Sequence, residues 1–280
     1  MKRFLRVLEM SRLTAIEAQY SEEIAEAADR FGDHEDISPG RILKWMGQFA
    51  DDHLQLASKV LIKIKYYGSS NIRAMTRELA LIVLQNLKGT DRKQIFFVPV
   101  GQPGSSSTII ARVLRELSRT GVTRGIKVAW MTDLEKLGPD EVSAIVFVDD
   151  FSGTGDQLSE WWGMVEQLVR PKKADVIVAL LVMNSRARAR IEEFANLAIS
   201  IEELDDRANA LSVQNQDFSQ AEKDILLRYC RNTECADEFV RGRGSCGLLL
   251  AFSHGCPNNS LPILWHSSRR WHALYLRRAI

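Results

Sequence analysis

Long hydrophobic runs are missing from this sequence. Nowhere in its 280 residues does an apolar stretch approach the roughly 20 residues that a membrane-spanning helix requires. Cysteine is scarce: the four present are Cys230, Cys235, Cys246 and Cys256. No disulfide framework can span a chain with none before residue 230, and a reducing cytoplasm is the expected compartment. An excess of either charge is lacking as well. Lys and Arg number 37 against 36 Asp and Glu, so no global basic field draws the chain to nucleic acid or an anionic membrane. The opening MKRFLRVLEMSR is basic and partly apolar. Arg6 and Glu9 interrupt its apolar run, and no small-residue cleavage site follows, so no leader is expected. Repeats and low-complexity tracts are absent too.

What is present is 45% hydrophobic and 26% charged, enough for one large domain or a core domain with appendages. Helical spacing dominates residues 1–88. His53, Leu56, Ala57, Val60 and Ile64 keep that spacing, and so do Ile72, Met75, Leu79, Ile82 and Val83 after the turn Gly68-Ser69-Ser70-Asn71. The polar segment 29–40, with its Gly and Pro, reads as a loop. Beyond residue 88 the period changes. Ile95–Val100, Ile126–Met131, Ile145–Val148 and Val176–Val182 are short continuous apolar runs of the kind that form strands buried on both faces. Helical spacing lies between them, at Ile109, Val113 and Leu117, then at Leu158, Trp162, Val165 and Leu168. Such alternation predicts an α/β parallel sheet. Residues 200–244 read as helical and charged, and Leu248–Phe252 as a late strand. The expected organisation is a helical N-terminal extension (1–88), an α/β core (89–200) and a C-terminal cap completing the core (201–280).

The sharpest chemical signal is Val146-Phe147-Val148-Asp149-Asp150-Phe151-Ser152-Gly153-Thr154-Gly155-Asp156-Gln157. A buried strand runs into two adjacent acids, then into a turn of small residues, then into a helix. Ligands of open α/β sheets bind beyond the carboxyl ends of strands. Small residues let backbone N–H groups converge on an anion, and the next helix adds partial positive charge. Two acids there suit a ribose diol, directly or through Mg2+. No Gly-Lys-Ser/Thr follows, so this is not a Walker loop. A plainer reading is an Asp-Asp turn that caps a helix. A second loop, Gly101-Gln102-Pro103-Gly104-Ser105-Ser106-Ser107, also leaves a buried strand and opens a helix. It offers donors for a second anion, or an ordinary N-cap.

The Asp-Asp segment resembles the phosphoribosyl-diphosphate (PRPP) motif of type I phosphoribosyltransferases: four apolar residues, two acids, two variable positions, then a small-residue turn ending Thr-Gly. The resemblance implies that Asp149 and Asp150 hold the ribose hydroxyls, as the catalytic pair. It implies that Ser152, Gly153, Thr154, Gly155, Asp156 and Gln157 surround the 5′-phosphate. Gly101, Gln102, Gly104, Ser105 and Ser106 stand where that family has its pyrophosphate loop. Mg2+ would enter with PRPP, held through substrate and by Asp149 and Asp150 if by any side chain. Gly153 stands where some purine-specific members carry a carboxylate as general base, Gln157 stands where Thr or Ser is usual, and Asp156 adds a negative charge. Residues 132–141 are the sole candidate for the lid these enzymes use.

Near the C-terminus, Asn258 and Asn259 supply amide donors and acceptors, and Trp265 a stacking face. They suit a planar heterocycle or a rigid turn. Cys230, Cys235, Cys246, His254 and Cys256 invite a zinc reading, which their spacing disfavours. Arginines 269, 270, 277 and 278 interleave with Trp271 and Tyr275, as in single-strand nucleic-acid sites or in a solvated face with apolar anchors. Together, RILKWMGQFA, the Asp-Asp loop, HGCPNNSLPILW and WHALYLRR resemble the phosphoribosyltransferase-like domain of prokaryotic conflict systems, including retron gene clusters. PRPP or a related ribosyl phosphate as ligand is what the resemblance to the phosphoribosyl-diphosphate motif implies; the resemblance to this domain implies an antiphage effector and supplies no reaction. Its implied partners are a reverse transcriptase, nucleic acid or another defence protein, and no membrane. The rival expectation is a non-catalytic regulator that senses a nucleotide or holds a partner.

Overall fold

Seven strands form among the described residues: β1 (Lys65–Tyr67), β2 (Ile95–Pro99), β3 (Lys127–Val128), β4 (Ala144–Ser152), β5 (Asp175–Asn184), β6 (Leu197–Leu204) and β7 (Leu250–Phe252). The computed structural model describes residues 2–34, 36–119 and 121–276. They divide into two compact units, one built from residues up to 69 with those from 206 on, the other from residues 70–205. No helix among the described residues is long and apolar enough to cross a membrane.

The second unit is a five-stranded sheet, wholly parallel, in the order β3-β2-β4-β5-β6. β2 and the run Ala144–Asp150 are buried at every position, which is why they read as continuous apolar runs rather than alternating ones. Their side chains pack with those of helix Asp156–Val169. Phe147 meets Trp161 edge to face at 4.5 Å, and Val178, Leu180 and Val165 fill the space around them. Trp161, rather than Trp162, takes the core position of that helix. The remaining helices of this unit are Ser69–Asn86, Ser107–Leu117, Met131–Leu134 and Ser185–Ile191.

The strand order carries a topological consequence. From β2 the chain crosses to β3 on one side, then returns to β4 on the other, so the connections diverge between β2 and β4. The crevice beyond the carboxyl ends of that strand pair is the switch point, where doubly wound sheets take their ligands.

The other unit is mainly helical, with helices Lys2–Gln19, Ser21–Arg30, Pro39–Met46, Leu54–Lys63, Gln220–Asn232 and Pro262–Trp265. β1 and β7 pair in parallel, Lys65 opposite Leu250 and Tyr67 opposite Phe252. Buried indoles fix this core by their polar edges as well as their area. Trp45 Nε1 and Trp271 Nε1 both donate to the Ile263 carbonyl, at 2.8 and 3.0 Å. Helix Gln220–Asn232 starts at a capping box, in which Ser219 Oγ accepts from Glu222 N–H and Glu222 Oε2 accepts from Ser219 N–H.

Two segments depart from the sequence-based expectation. Residues 197–204 form β6, although 200–244 reads as helical. β6 pairs on one side only, with β5, so Glu202 and Glu203 are tolerated and the charge pattern mimics a helix. The run 126–131 yields only the two residues of β3. Asp133 Oδ2 accepts from Trp130 N–H at 2.9 Å and starts a short helix at Met131 instead.

Candidate functional site

β4 is the middle strand of the five, and it brings Asp149 and Asp150 to the carboxyl end of the sheet. Strand pairing continues past the acids, Asp149 opposite Leu180 and Ser152 opposite Met183, so β5 holds the backbone there in register. Asp149 and Asp150 keep only 6% and 7% of their surface exposed. Ser106, from the loop after β2, reaches them both. Its Oγ lies 3.1 Å from Asp149 Oδ1 and 2.9 Å from Asp150 Oδ1. The two loops singled out in the sequence therefore touch, across the switch point. Asp149 Oδ1 also accepts from the Asp150 N–H at 2.9 Å.

Burial, followed by the charge of Asp150 beside it, pushes the Asp149 carboxyl well above the usual carboxylate range. The hydrogen bonds from the Asp150 N–H and from Ser106 pull the other way and lose. A cation or a diol proton arriving at this pair would relieve the strain that burial imposes.

The loop after β2 is held from within. Ser105 Oγ and Ser107 Oγ both donate to the Val100 carbonyl, at 3.2 and 2.6 Å, and lie 2.8 Å from each other. Gly104 N–H donates to Thr108 Oγ1 at 3.0 Å. Gly101 and Gly104 take φ of 83° and 101°, backbone that favours glycine. Gln102 and Gly104 are exposed, Ser105 and Ser106 partly so. Ser105 thus faces its own loop, and Ser106 is the serine turned to the acids.

Ser152, the last residue of β4, and Gly153 are buried, Thr154 is half-buried and Gln157 is exposed. Gly155 has φ 81° and stands directly before helix Asp156–Val169. A Cβ there would lie 3.1 Å from Arg190 Cβ and 3.2 Å from the Ala187 carbonyl oxygen. The turn therefore requires glycine twice over, for its dihedral and for the close approach of helix Ser185–Ile191. Asp156 does not stand alone at this turn. Its Oδ2 accepts from Thr154 Oγ1 at 2.8 Å, and its Oδ1 is paired with the Arg190 guanidinium. The sequence reading missed Arg190; the alternating arginines of SRARARI, just after an apolar strand, are the signal that could have drawn attention to it.

The segment 132–141, the candidate lid, packs against its own unit. Leu134 is buried, Gly138 N–H donates to Glu141 Oε2 at 2.7 Å, and Lys172 Nζ donates to the Leu137 carbonyl at 2.9 Å.

Asn258, Asn259 and Trp265 belong to the other unit and have partners inside it. Asn259 Nδ2 donates to the Arg243 carbonyl at 3.0 Å, and the Asn258 carbonyl accepts from Arg243 N–H at 2.8 Å. Trp265 is buried, donates from Nε1 to the Ser260 carbonyl at 2.9 Å and packs edge-on against Phe239. Cys230, Cys246 and Cys256 are buried. Burial pushes the Cys230 thiol up, away from the reactive thiolate. Arg277 and Arg278 of the basic tail lie outside the described residues.

The profile of the PRTase-CE family matches residues 42–277. No curated protein matches the chain. Three solved structures are similar in part. A xanthine-guanine-hypoxanthine phosphoribosyltransferase from Helicobacter pylori is 13% identical, with 48% of this chain and 84% of that chain covered at a TM-score of 0.32. An HGPRT-ase from Leishmania tarentolae in complex with GMP is 14% identical, with 47% and 79% covered at 0.30. An adenine phosphoribosyltransferase from Thermoanaerobacter pseudethanolicus is 15% identical, with 46% and 80% covered at 0.27. The wholly parallel sheet and the family match agree with a phosphoribosyltransferase-type α/β fold.

Proposed function

The chain belongs to the PRTase-CE family, and from that premise we propose that it binds PRPP or a related ribosyl phosphate at the β2–β4 switch point, for transfer or cleavage at the anomeric carbon. The observation that carries this reading is the meeting of Ser106 with Asp149 and Asp150. PRPP has an anionic group at each end of one ribose, and two loops that meet beside a pair of acids suit it. In this reading Asp149 and Asp150 hold the ribose hydroxyls, and Ser152, Thr154 and Gly155 the 5′-phosphate. Gly101 and Ser106 take the diphosphate end, and Ser105 shapes their loop through its bond to the Val100 carbonyl. Charge separates as the diphosphate leaves, so a site of this kind acts by position and electrostatics.

Mg2+ suits the donor set, since Asp149 and Asp150 offer hard carboxylate oxygens whose crowding a cation relieves. Among the described residues no group of three or more His, Cys, Asp or Glu is arranged to hold a metal. The ion would therefore be shared between these two residues and substrate phosphates. When bound it supplies neutralisation of the diphosphate charge.

In its cellular setting we place the protein as an effector of a prokaryotic antiphage system. A second reading is a nucleotide-sensing regulator without turnover, since Leu134 and Lys172 tie residues 132–141, the one lid candidate, to their own unit. One experiment separates the two. Pure protein is incubated with PRPP, Mg2+ and a metabolite extract, and mass spectrometry follows PRPP loss and new ribosylated species. Consumption above a no-protein control supports the enzyme; binding without consumption supports the regulator.

A further inference from the structure

Neither Gly101–Ser107 nor Asp149–Gln157 contains a Lys or Arg, while the second segment carries three carboxylates, Asp149, Asp150 and Asp156. An anion cradle without a cation and with a carboxylate at its mouth is poorly matched to a phosphate dianion. Two of the side-chain donors at this turn, Thr154 and Arg190, are engaged by Asp156. Thr154 Oγ1 has one proton, and it points to Asp156 Oδ2 at 2.8 Å. The Arg190 guanidinium is paired with Asp156 Oδ1. Arg190 is held against the turn by its backbone: its Cβ comes within 3.1 Å of where a Gly155 Cβ would be. Its side chain is half exposed, at 51%, so the guanidinium can turn without unpacking the helix.

We propose that Asp156 is an internal competitor for the 5′-phosphate, and that binding transfers Thr154 and Arg190 from Asp156 to the phosphate. This rests on the phosphate reading of residues 152–157 given above. A carboxylate occupies, in the free protein, the partners a phosphate oxygen needs. A weak anion gains nothing by displacing it. A phosphate dianion accepts more, and stronger, charge-assisted hydrogen bonds than a carboxylate and can prevail. Arg190 becomes the cation of the site, and Asp156 sets how much negative charge a ligand must bring. An Asp retained only as a favourable first-turn acid of its helix would act on stability and leave ligand affinity alone.

The test is calorimetric titration with ribose 5-phosphate of the full-length wild type, Asp156→Asn, Arg190→Met and the double variant. Asp156→Asn should bind about tenfold tighter and Arg190→Met about tenfold weaker, the scale of one charge-assisted contact. The gain from Asp156→Asn should shrink when Arg190 is already Met, to the part owed to Thr154 and the lost carboxylate charge, because Asp156 and Arg190 are coupled. Asp156→Ser, a residue that helix starts accept, serves if the Asn variant folds poorly, and should also bind tighter. A wild type that binds while Asp156→Asn and Asp156→Ser bind no tighter overturns the competitor and leaves the site standing. A gain that survives undiminished in the double variant overturns the transfer of Arg190. If no form takes up ribose 5-phosphate or PRPP with Mg2+, the phosphate site itself falls, and the competitor with it.

Discussion

Ser106 Oγ stands within hydrogen-bond reach of both Asp149 Oδ1 and Asp150 Oδ1, at 3.1 and 2.9 Å. Its single proton serves two carboxylates contributed by the neighbouring strand. Ser106→Ala leaves that buried pair without the donor. The expected outcome is a loss of about 1–2 kcal/mol in urea unfolding, with the helical content in far-UV circular dichroism unchanged.

Asp149→Asn/Asp150→Asn tests the acids as a pair. Asp149 is raised above its unfolded value, so the stability tied to its protonated form is present at low pH and lost as pH rises through the folded value. Asn does not titrate. The double variant should therefore melt at the same temperature as the wild type or higher at neutral pH, and the gap should close below about pH 4. Mg2+-dependent binding of PRPP, followed by calorimetry, should disappear, and so should any phage-resistance phenotype in infected cells.

Asp33 offers the opposite sign. Burial works against its charge, but hydrogen bonds from the Tyr66 hydroxyl and the Ser69 N–H prevail and hold the carboxyl below its usual range. The stability it contributes is present above about pH 4 and lost as pH falls through the folded value. Asp33→Asn should lower the melting temperature at pH 7, with wild type and variant converging in acid.

Gly155→Ala should be severe, since Gly155 is buried. It places a side chain at φ 81° and within 3.2 Å of the Ala187 carbonyl oxygen. A loss of about 2 kcal/mol is expected from strain and overpacking together, read as a shift of the urea midpoint at constant m-value.

For the C-terminal amides, Asn259→Ala should lower stability by about 1 kcal/mol through the lost bond to the Arg243 carbonyl. Asn258→Ala is the sharper probe of acceptor recognition. An activity loss that exceeds its stability loss supports contact with a base, and equal losses support a structural turn.

Much of this was legible in the sequence, for reasons that can be traced. Continuous apolar runs bounded by turns marked β2, β4 and β5, because strands covered on both faces have no polar side to obscure them. The Asp-Asp-Phe-Ser-Gly-Thr-Gly string marked the turn at Gly155, because left-handed backbone against a packed helix leaves glycine little competition. β6 escaped notice because an edge strand accepts Glu202 and Glu203, and β3 was read too long because an apolar run does not mark where strand pairing stops. Ser106 could be counted among the donors of its loop, but its turn toward Asp149 could not be read from the string. Nor could Arg190, whose partner Asp156 lies 34 positions earlier; such proximity is a property of strand order.

The pairing of β1 with β7 sets a schedule for synthesis. Lys65 finds Leu250 only after every residue of the five-stranded sheet between them has been made. At ribosomal speeds of about 5–20 residues per second, the earlier strand waits roughly 10–40 s for its partner. During that interval the parallel sheet can close on its own segment, while Tyr66 and Tyr67, and the helices before them, have no finished core to join. Synthesis of β7 is thus the step on which completion of the helical unit waits. A chain cut short before residue 250 would carry an intact Asp149–Asp150 turn beside an unfinished neighbour, and would be a ready target for chaperones and proteases.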